Sequence, residues 1–205
     1  MTYSTRMLTE DTWPDFAQLV EANNGVWGGC WCMGFHPEGV GKPGQTAENN
    51  RAAKLRRVGS GAVSQVLVYQ DGECVGWCQF GRPAELPNIK NRGRYDKDAV
   101  DTPDWRIGCV FTGTRNRGKG IASAAVGAAL DEIRRAGGGV VEAYPEQTQG
   151  RPPQRGAYLH TGPEELFLRH GFTRVRAIAK WRWVMRASLA PSSAASAETR
   201  TAADD

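Results

Sequence analysis

Residues 105–136 constrain the fold more than any other stretch of the chain. An apolar, β-branched run, WRIGCVFT (105–112), leads into a glycine-rich basic turn, GTRNRGKG (113–120), and then into an alanine-rich pattern, IASAAVGAALDEIRRA (121–136). An extended apolar segment followed at once by a 3.6-residue periodicity is a β-α unit, which needs a sheet with a helix laid on it. The turn itself has the makings of a phosphate cradle. Gly118 and Gly120 lack Cβ atoms, so the backbone can adopt unusual φ values and approach an anion closely. The N–H groups of residues 117–121 stand at a helix start, where donors lack intrahelical partners. Arg115, Arg117 and Lys119 add positive charge. The alternative, a basic turn with no ligand, leaves three cations close together without compensation.

The rest of the chain supplies the sheet. TYSTRMLT reads as a strand, and TEDTWPDFAQLVEAN as a helix with Thr12 as N-cap and a stripe of Phe16, Leu19 and Val20. A glycine-rich but apolar loop, NGVWGGCWCMGFHPEGVGKPG, follows. A loop this apolar covers a core or walls a pocket. TAENNRAAKLRRVGSG is a second helix, capped by Thr46 or Asn49 and stopped at Gly59. AVSQVLVYQ and CVGWCQFGRP flank the turn dipeptide Asp71-Gly72 as a hairpin. A polar connector containing two prolines leads to the strand at 105–112. After the central helix come the strand GVVEAYP, a long loop (147–162), a short helix PEELFLRHGF, and an extended stretch, TRVRAIAKWRWVMRA. The order is β-α-α-β-β-β-α-β-α-β(β), an α/β or α+β sheet with helices on both faces and a β-α-β unit at its centre. Residues 1–187 form one domain. From Ser188 onward there is almost no large apolar residue, and 188–205 reads as a disordered tail.

Charge and cysteine usage narrow the function. The formal net charge of +4 suits a partner carrying a few phosphates and falls short of a nucleic-acid arm. The tail residues Glu198, Arg200, Asp204 and Asp205 carry −2, so the body holds +6. The N-terminus lacks the basic-then-apolar build of a signal peptide, and no apolar run approaches the ~18 residues of a membrane helix. A cytoplasmic location is expected. The odd count of five cysteines reads as reduced thiols. Cys30-Trp-Cys32 and Cys74-x3-Cys78 fit no standard zinc spacing, and Cys74 and Cys78 fall on one face of their strand, where small buried thiols are common. No metal is expected.

Gly113-x4-Gly118-Lys119 matches most of a nucleotide-triphosphatase P-loop, but Gly120 stands where that loop needs a magnesium-binding hydroxyl, and the turn comes midway along the chain rather than after its first strand. Arg115-x-x-Gly118-x-Gly120, opening a helix directly after a strand, instead resembles the acetyl-CoA pyrophosphate loop of the GNAT acyltransferase superfamily. The resemblance spans most of the chain, since the element order matches and ELFLRHGF is similar to the family's fourth helix ending in Gly-Phe. It implies a mixed, mostly antiparallel central sheet flanked by helices, acetyl-CoA as co-substrate, and transfer of an acetyl group to an amine. It also implies that Val110, Phe111, Thr112, Arg115, Asn116, Arg117, Gly118, Lys119, Gly120, Ile121 and Ala122 bind the cofactor, with the pantetheine arm beside residues 109–112.

The chemistry of transfer needs a neutral amine, a polarised carbonyl and a proton for the leaving thiolate. The family's usual acid, a tyrosine four residues before the glycine of Gly-Phe, is replaced by Phe167. Val140, Glu142 and Tyr144 share one face of their strand by the period of two. Glu142, a charge in an apolar central strand, is the first candidate base, with Tyr144 as polariser or acid; pairing of Glu142 with an arginine such as Arg106 is the structural alternative. Asp104 is the second candidate base, and Tyr158 and His160 are further candidate acids. Cys109 could accept an acyl group, although a buried thiol explains it equally. His170, at a helix C-terminus, needs no catalytic explanation. The apolar loop at 27–35, with Trp27, Trp31 and Phe35 as candidate substrate-binding residues, points to a small acceptor with an apolar part. A non-catalytic acyl-CoA-binding module, or an acetyltransferase acting on protein or RNA, stays in view. The oligomeric state, a homodimer included, is open.

Overall fold

The computed structural model describes residues 2–39, 45–98, 101–154 and 156–193. Seven strands form one sheet in the order β1-β2-β3-β4-β5-β7-β6. They are β1 (Ser4–Met7), β2 (Ser64–Gln70), β3 (Glu73–Gly81), β4 (Trp105–Thr112), β5 (Gly139–Ala143), β6 (Thr173–Ala179) and β7 (Arg182–Leu189). All neighbours run antiparallel except β4 and β5, the two strands of the central β-α-β unit. The helices are α1 (Trp13–Glu21), α2 (Ala47–Gly59), α3 (Arg92–Lys97), α4 (Ile121–Arg135) and α5 (Glu164–Arg169). Among the described residues no helix is long and apolar enough to cross a membrane.

One apolar cluster lies under α4, whose buried face is Ile121, Ala125, Val126, Ala129, Leu130 and Ile133. Ala125 and Ala129 let the helix axis approach β2–β4 closely, while Ala122, Ala124 and Ala128 sit half-buried at its flanks. A second cluster fills the opposite face, between α1, the loop after it, and Leu67, Trp77, Cys109 and Phe111 of the sheet. Phe16, Trp77 and Phe111 pack there edge-on and stacked, with centroids 5.2 and 4.3 Å apart.

Two bulges shape the sheet. On β3 the pairing moves from Val68↔Gly76 to Tyr69↔Cys74, so Val75 is extra. That insertion reverses the alternation and corrects the shared-face reading of two thiols: Cys78 joins the cluster under α4, and Cys74 packs against the other. On β4 the pairing passes from Phe80↔Ile107 to Cys78↔Val110, so Gly108 and Cys109 together oppose Gln79. The bulge bends β4, and its parallel pairing with β5 covers only Trp105↔Val141 and Arg106↔Glu142. Beyond that point the two strands part.

Other differences are local. Thr12 precedes α1 but does not cap it: its hydroxyl donates to the Met7 carbonyl and accepts from the Thr9 N–H, both at 2.8 Å, closing the β1–α1 turn. Thr46 does cap α2, accepting from Asn49 N–H at 3.1 Å. The connector contains α3, which buries Tyr95. Of the stretch 188–205 expected to be a tail, residues 194–205 lie outside the described residues. Ser188 and Leu189 extend β7 opposite Val140 and Gly139, because backbone pairing needs no large side chain.

The β4 bulge is tightly enclosed. A Cβ built on Gly108 would lie 3.0 Å from Phe35 Cγ and 3.3 Å from Gln79 Oε1. Gly108→Val is expected to destabilise the protein by about 1–3 kcal/mol through overpacking, read as a lower urea midpoint at unchanged slope.

Candidate active site

The splay divides the site into a cradle on one side of β4 and an apolar pocket on the other. At the cradle, the chain leaves β4 through a single turn at Thr114–Asn116 and enters α4 without a side-chain cap. Gly118 and Gly120 have φ of +75° and +87°, the left-handed region that favours glycine. A Cβ on either would meet nothing within 4 Å, so this ground is open to a ligand. Helix geometry leaves the first N–H groups of α4 aimed outward at the positive end of its dipole. A cavity of about 420 Å³ lies over them, lined by Thr112, Arg117, Gly118, Gly120, Ile121, Ala122, Ser123 and, from α5, Arg169. Tyr3 steadies the turn by donating to the Lys119 carbonyl at 2.7 Å, and Lys119 Nζ donates to Asn116 Oδ1 at 3.2 Å. Arg115 and Asn116 line a separate groove against α1, with Asp15, Asn23 and Glu73. The expected phosphate ligands thus fall into two groups.

The apolar pocket, about 430 Å³, is lined by Trp27, Cys30, Cys32, Gly34, Phe35, Asn88, Ile89, Lys90, Cys109 and His160. Trp27 and Phe35 stand in it as the sequence implies. Trp31 does not: it stacks on Trp13 at 5.8 Å and is sealed into the core over α1. His160 comes from the long loop and meets Trp27 and Phe35 at ring centroids of 5.4 and 6.0 Å. Its backbone carbonyl accepts from Val110 N–H at 2.8 Å, so the loop is stitched to the splayed edge of β4. That bond occupies one donor that the family resemblance assigns to the pantetheine arm. Asn88, Ile89 and Lys90 escaped the sequence reading because the connector reaches this site only through tertiary folding.

Glu142 has a different setting. Its side chain is fully buried on β5. One carboxylate oxygen accepts from the Tyr95 and Tyr144 hydroxyls, both at 2.8 Å, and the other accepts from Arg186 Nε at 2.8 Å. Arg106 lies one step further, with Nη2 3.5 Å from the Tyr95 hydroxyl. Burial, followed by the charge of Glu142, pushes the Tyr144 phenol well above its ordinary range, so it stays a donor to that carboxylate. Both carboxylate oxygens are thus engaged by donors inside the fold. The arginine paired with Glu142 is thus Arg186 rather than Arg106. Tyr144 serves the same cluster. Asp104 lies at the opposite end of β4 from the splay, where its Oδ2 accepts from Val140 N–H at 2.7 Å. Phe167, where an acid was missing, is core, edge-on to Phe172 at 5.3 Å. His170 accepts or donates to Ser123 Oγ at 3.0 Å, and burial lowers its pKa, so it is no C-terminal cation. Among the described residues, no group of three or more His, Cys, Asp or Glu is placed to hold a metal.

The fold is an α/β sheet with an open glycine turn at the start of α4 beside a bulged, splayed strand. The sequence model of the "Acetyltransferase (GNAT) family" matches residues 19–160, and the chain belongs to that family. Solved structures with the same fold include histone acetyltransferase HPA2 and related acetyltransferase from Corynebacterium glutamicum (17% identity, 94% of this chain and 99% of that one, TM-score 0.54). PaiA N-acetyltransferase from Thermoplasma acidophilum, solved with coenzyme A, is 11% identical over 92% of this chain and all of its own (100%), at TM-score 0.54. A mosquito arylalkylamine N-acetyltransferase like 5b is 8% identical over 92% and 100% of the two chains, at TM-score 0.53. A comparison with curated protein sequences returned no match.

Glu142→Gln separates the two roles. Because it breaks a buried ion pair, it should cost about 3 kcal/mol of stability. Turnover per folded molecule, assayed well below the unfolding temperature, should stay within about twofold of wild type rather than fall the ~10²-fold that loss of a base brings.

Proposed function

We propose that the protein is an N-acyltransferase that moves an acetyl group from acetyl-CoA to the amine of a small acceptor with an apolar part. The observation that carries this reading is the pairing of the open glycine cradle with the aromatic pocket, one on each side of a bulged β4. The cradle offers a pyrophosphate the α4 dipole and the Arg117 guanidinium. The GNAT relative crystallised with coenzyme A supports a CoA-type ligand there. A thioester reaching along the parted edge of β4 would end beside Cys109, where Trp27, Phe35 and Ile89 exclude water from the reacting carbonyl. An acceptor resting on these apolar walls is held in place without a long peptide groove.

His160 is the proton-handling group this arrangement favours. Its imidazole lines the pocket, and the loop that carries it is anchored on Val110, so its position relative to β4 is fixed. It replaces the tyrosine missing at Phe167 as donor to the leaving thiolate. Arg115 and Asn116, in the neighbouring groove, would reach only the outer part of the nucleotide.

Calorimetry should detect acetyl-CoA binding that Gly120→Asp weakens by at least about 2 kcal/mol, because the substitution sets a like charge at the phosphate. Equal affinity in a folded mutant removes the cradle assignment. His160→Gln should lower kcat by about 10²-fold on an accepted amine while leaving acetyl-CoA affinity nearly unchanged. Binding of acetyl-CoA with no CoA released across a broad amine panel would favour the sensing module over the enzyme.

A further inference from the structure

The walls of the apolar pocket are uneven in charge. Trp27, Phe35 and Ile89 are apolar, and Asn88 is neutral. Lys90 brings an ammonium to the pocket's rim, where its side chain is exposed. Among the described residues that line the pocket there is no carboxylate to meet it.

The backbone fixes Lys90 at this place. Two residues before it, the Asn88 N–H donates to the Phe35 carbonyl at 3.1 Å, and the Asn88 side-chain amide donates to the His36 carbonyl. Ile89 is buried. One residue after Lys90, Asn91 takes a φ of +59° before α3 begins, a left-handed conformation that asparagine tolerates better than most residues. The connector is therefore fastened to the aromatic loop on one side of Lys90 and turned into α3 on the other.

The ammonium itself is unengaged. It makes no hydrogen bond or ion pair with any described residue. The charges that bear on it are those of Arg182, which together with burial draws its pKa down, and of Glu146. Glu146 cannot serve as its partner, since one carboxylate oxygen pairs with Arg182 and the other with Arg151 at 3.0 Å.

An occupant lying between Trp27 and Phe35 reaches Lys90 and strips water from it. A neutral apolar amine leaves that ammonium beside hydrocarbon, which is costly. A diamine or polyamine is worse, because its second ammonium faces Lys90 and finds no carboxylate. An acceptor that carries a carboxylate removes both costs by pairing with Lys90. The pocket also offers nothing to hold the acceptor nitrogen as an ammonium, so the neutral, nucleophilic form is favoured. Its volume of about 430 Å³ stands toward the lower end of the ~300–1,000 Å³ of small-molecule sites, which suits a free amino acid.

We propose that the acceptor is an amine that also carries a carboxylate, in the simplest case an apolar α-amino acid, and that Lys90 recognises the carboxylate. This deepens the acyltransferase reading and rests on it for the fate of the amine. The amino nitrogen attacks the thioester carbonyl and loses a proton, the carbon–sulfur bond breaks, and the CoA thiolate takes a proton up. An amide and a free thiol result. Lys90 keeps its own proton throughout and pairs with the carboxylate of acceptor and product alike.

Matched pairs of amines test this on the full chain. L-leucine, L-phenylalanine and L-tryptophan are compared with 3-methylbutylamine, 2-phenylethylamine and tryptamine, which lack the carboxylate. One readout is release of the CoA thiol from acetyl-CoA. The other is calorimetric binding of the N-acetylated form of each compound, which needs no turnover. At least one amino acid is expected to exceed its partner about tenfold in kcat/KM, and its N-acetyl form to bind about tenfold tighter. Lys90→Met should collapse both ratios to within about twofold, whereas Lys90→Arg should preserve them, a rescue that mere loss of packing would not show. Spermidine should be a poor acceptor for the wild type and a better one for Lys90→Glu. A binding preference with no CoA released from any amine would uphold Lys90 and sink the acyltransferase reading. CoA release without a preference in any pair, or a preference that survives Lys90→Met, would overturn the assignment and leave the acyltransferase reading standing. Neither preference nor release in any pair would overturn both.

Discussion

A strand that carries one residue more than its partner must bend, and β4 gains that residue where Gly108 and Cys109 face Gln79. Up to Arg106 it pairs with β5 as any parallel neighbour would; past the bulge it turns away, leaving half of one edge without a strand beside it. An unpaired strand edge inside a protein has backbone groups to satisfy. Here the His160 carbonyl meets one of them at Val110. The bulge also switches which residues of β4 face which layer: Trp105 and Ile107 pack under α4, as Val110 does, but Cys109 and Phe111 fall on the opposite side. One inserted residue therefore opens the groove and turns a thiol toward it.

The two buried polar clusters flanking β4 show how differently a fold can treat a charge. At Glu142 both carboxylate oxygens have donors, from Tyr95, Tyr144 and Arg186. Such a satisfied network rigidifies and specifies the packing of α3, β5 and β7 around it. It gives its members little freedom to exchange protons with a ligand. At Lys54 the ammonium makes no hydrogen bond among the described residues and lies over the Phe16 ring, 5.9 Å from its centroid. Burying a charge without hydrogen bonds is costly, and burial accordingly draws Lys54 down to about 8.

The sequence made the β-α-β unit legible because its signals are local. The glycines at 118 and 120, the strand before them and the helix pattern after them all sit within 32 residues (105–136), and α4 starts where the pattern says. The hairpin at Asp71-Gly72, the cap at Thr46 and the pocket residues Trp27 and Phe35 were likewise open to local reasoning. The bulges on β3 and β4 were not, because an extra residue shows only against its partner strand; hence the misassigned faces of Cys74 and Cys78. Glu142 was rightly singled out as anomalous, but its partner lies on β7, 44 residues away. Period-two reasoning names the face a side chain takes and not what waits there. Lys54 was missed for the same reason: α2 has no clear apolar stripe, and its Leu55 is exposed while a lysine points inward.

The loop at 147–162 ties these parts together mechanically. Glu146, just before it, pairs with Arg182 and Arg151, and Gly162 at its far end closes on Glu146 N–H at 3.1 Å. With both ends fixed, the loop presents His160 by two atoms at once: its carbonyl to the β4 edge and its ring to Trp27 and Phe35. A ligand that takes the Val110 N–H for itself must displace that carbonyl, at a cost of about 1 kcal/mol for the bond given up. The same displacement moves the ring, since both belong to one residue. In the acyltransferase reading, occupancy of the β4 edge by a cofactor arm is thereby coupled to the position of the proton donor in the acceptor pocket, with no contact needed between the two ligands.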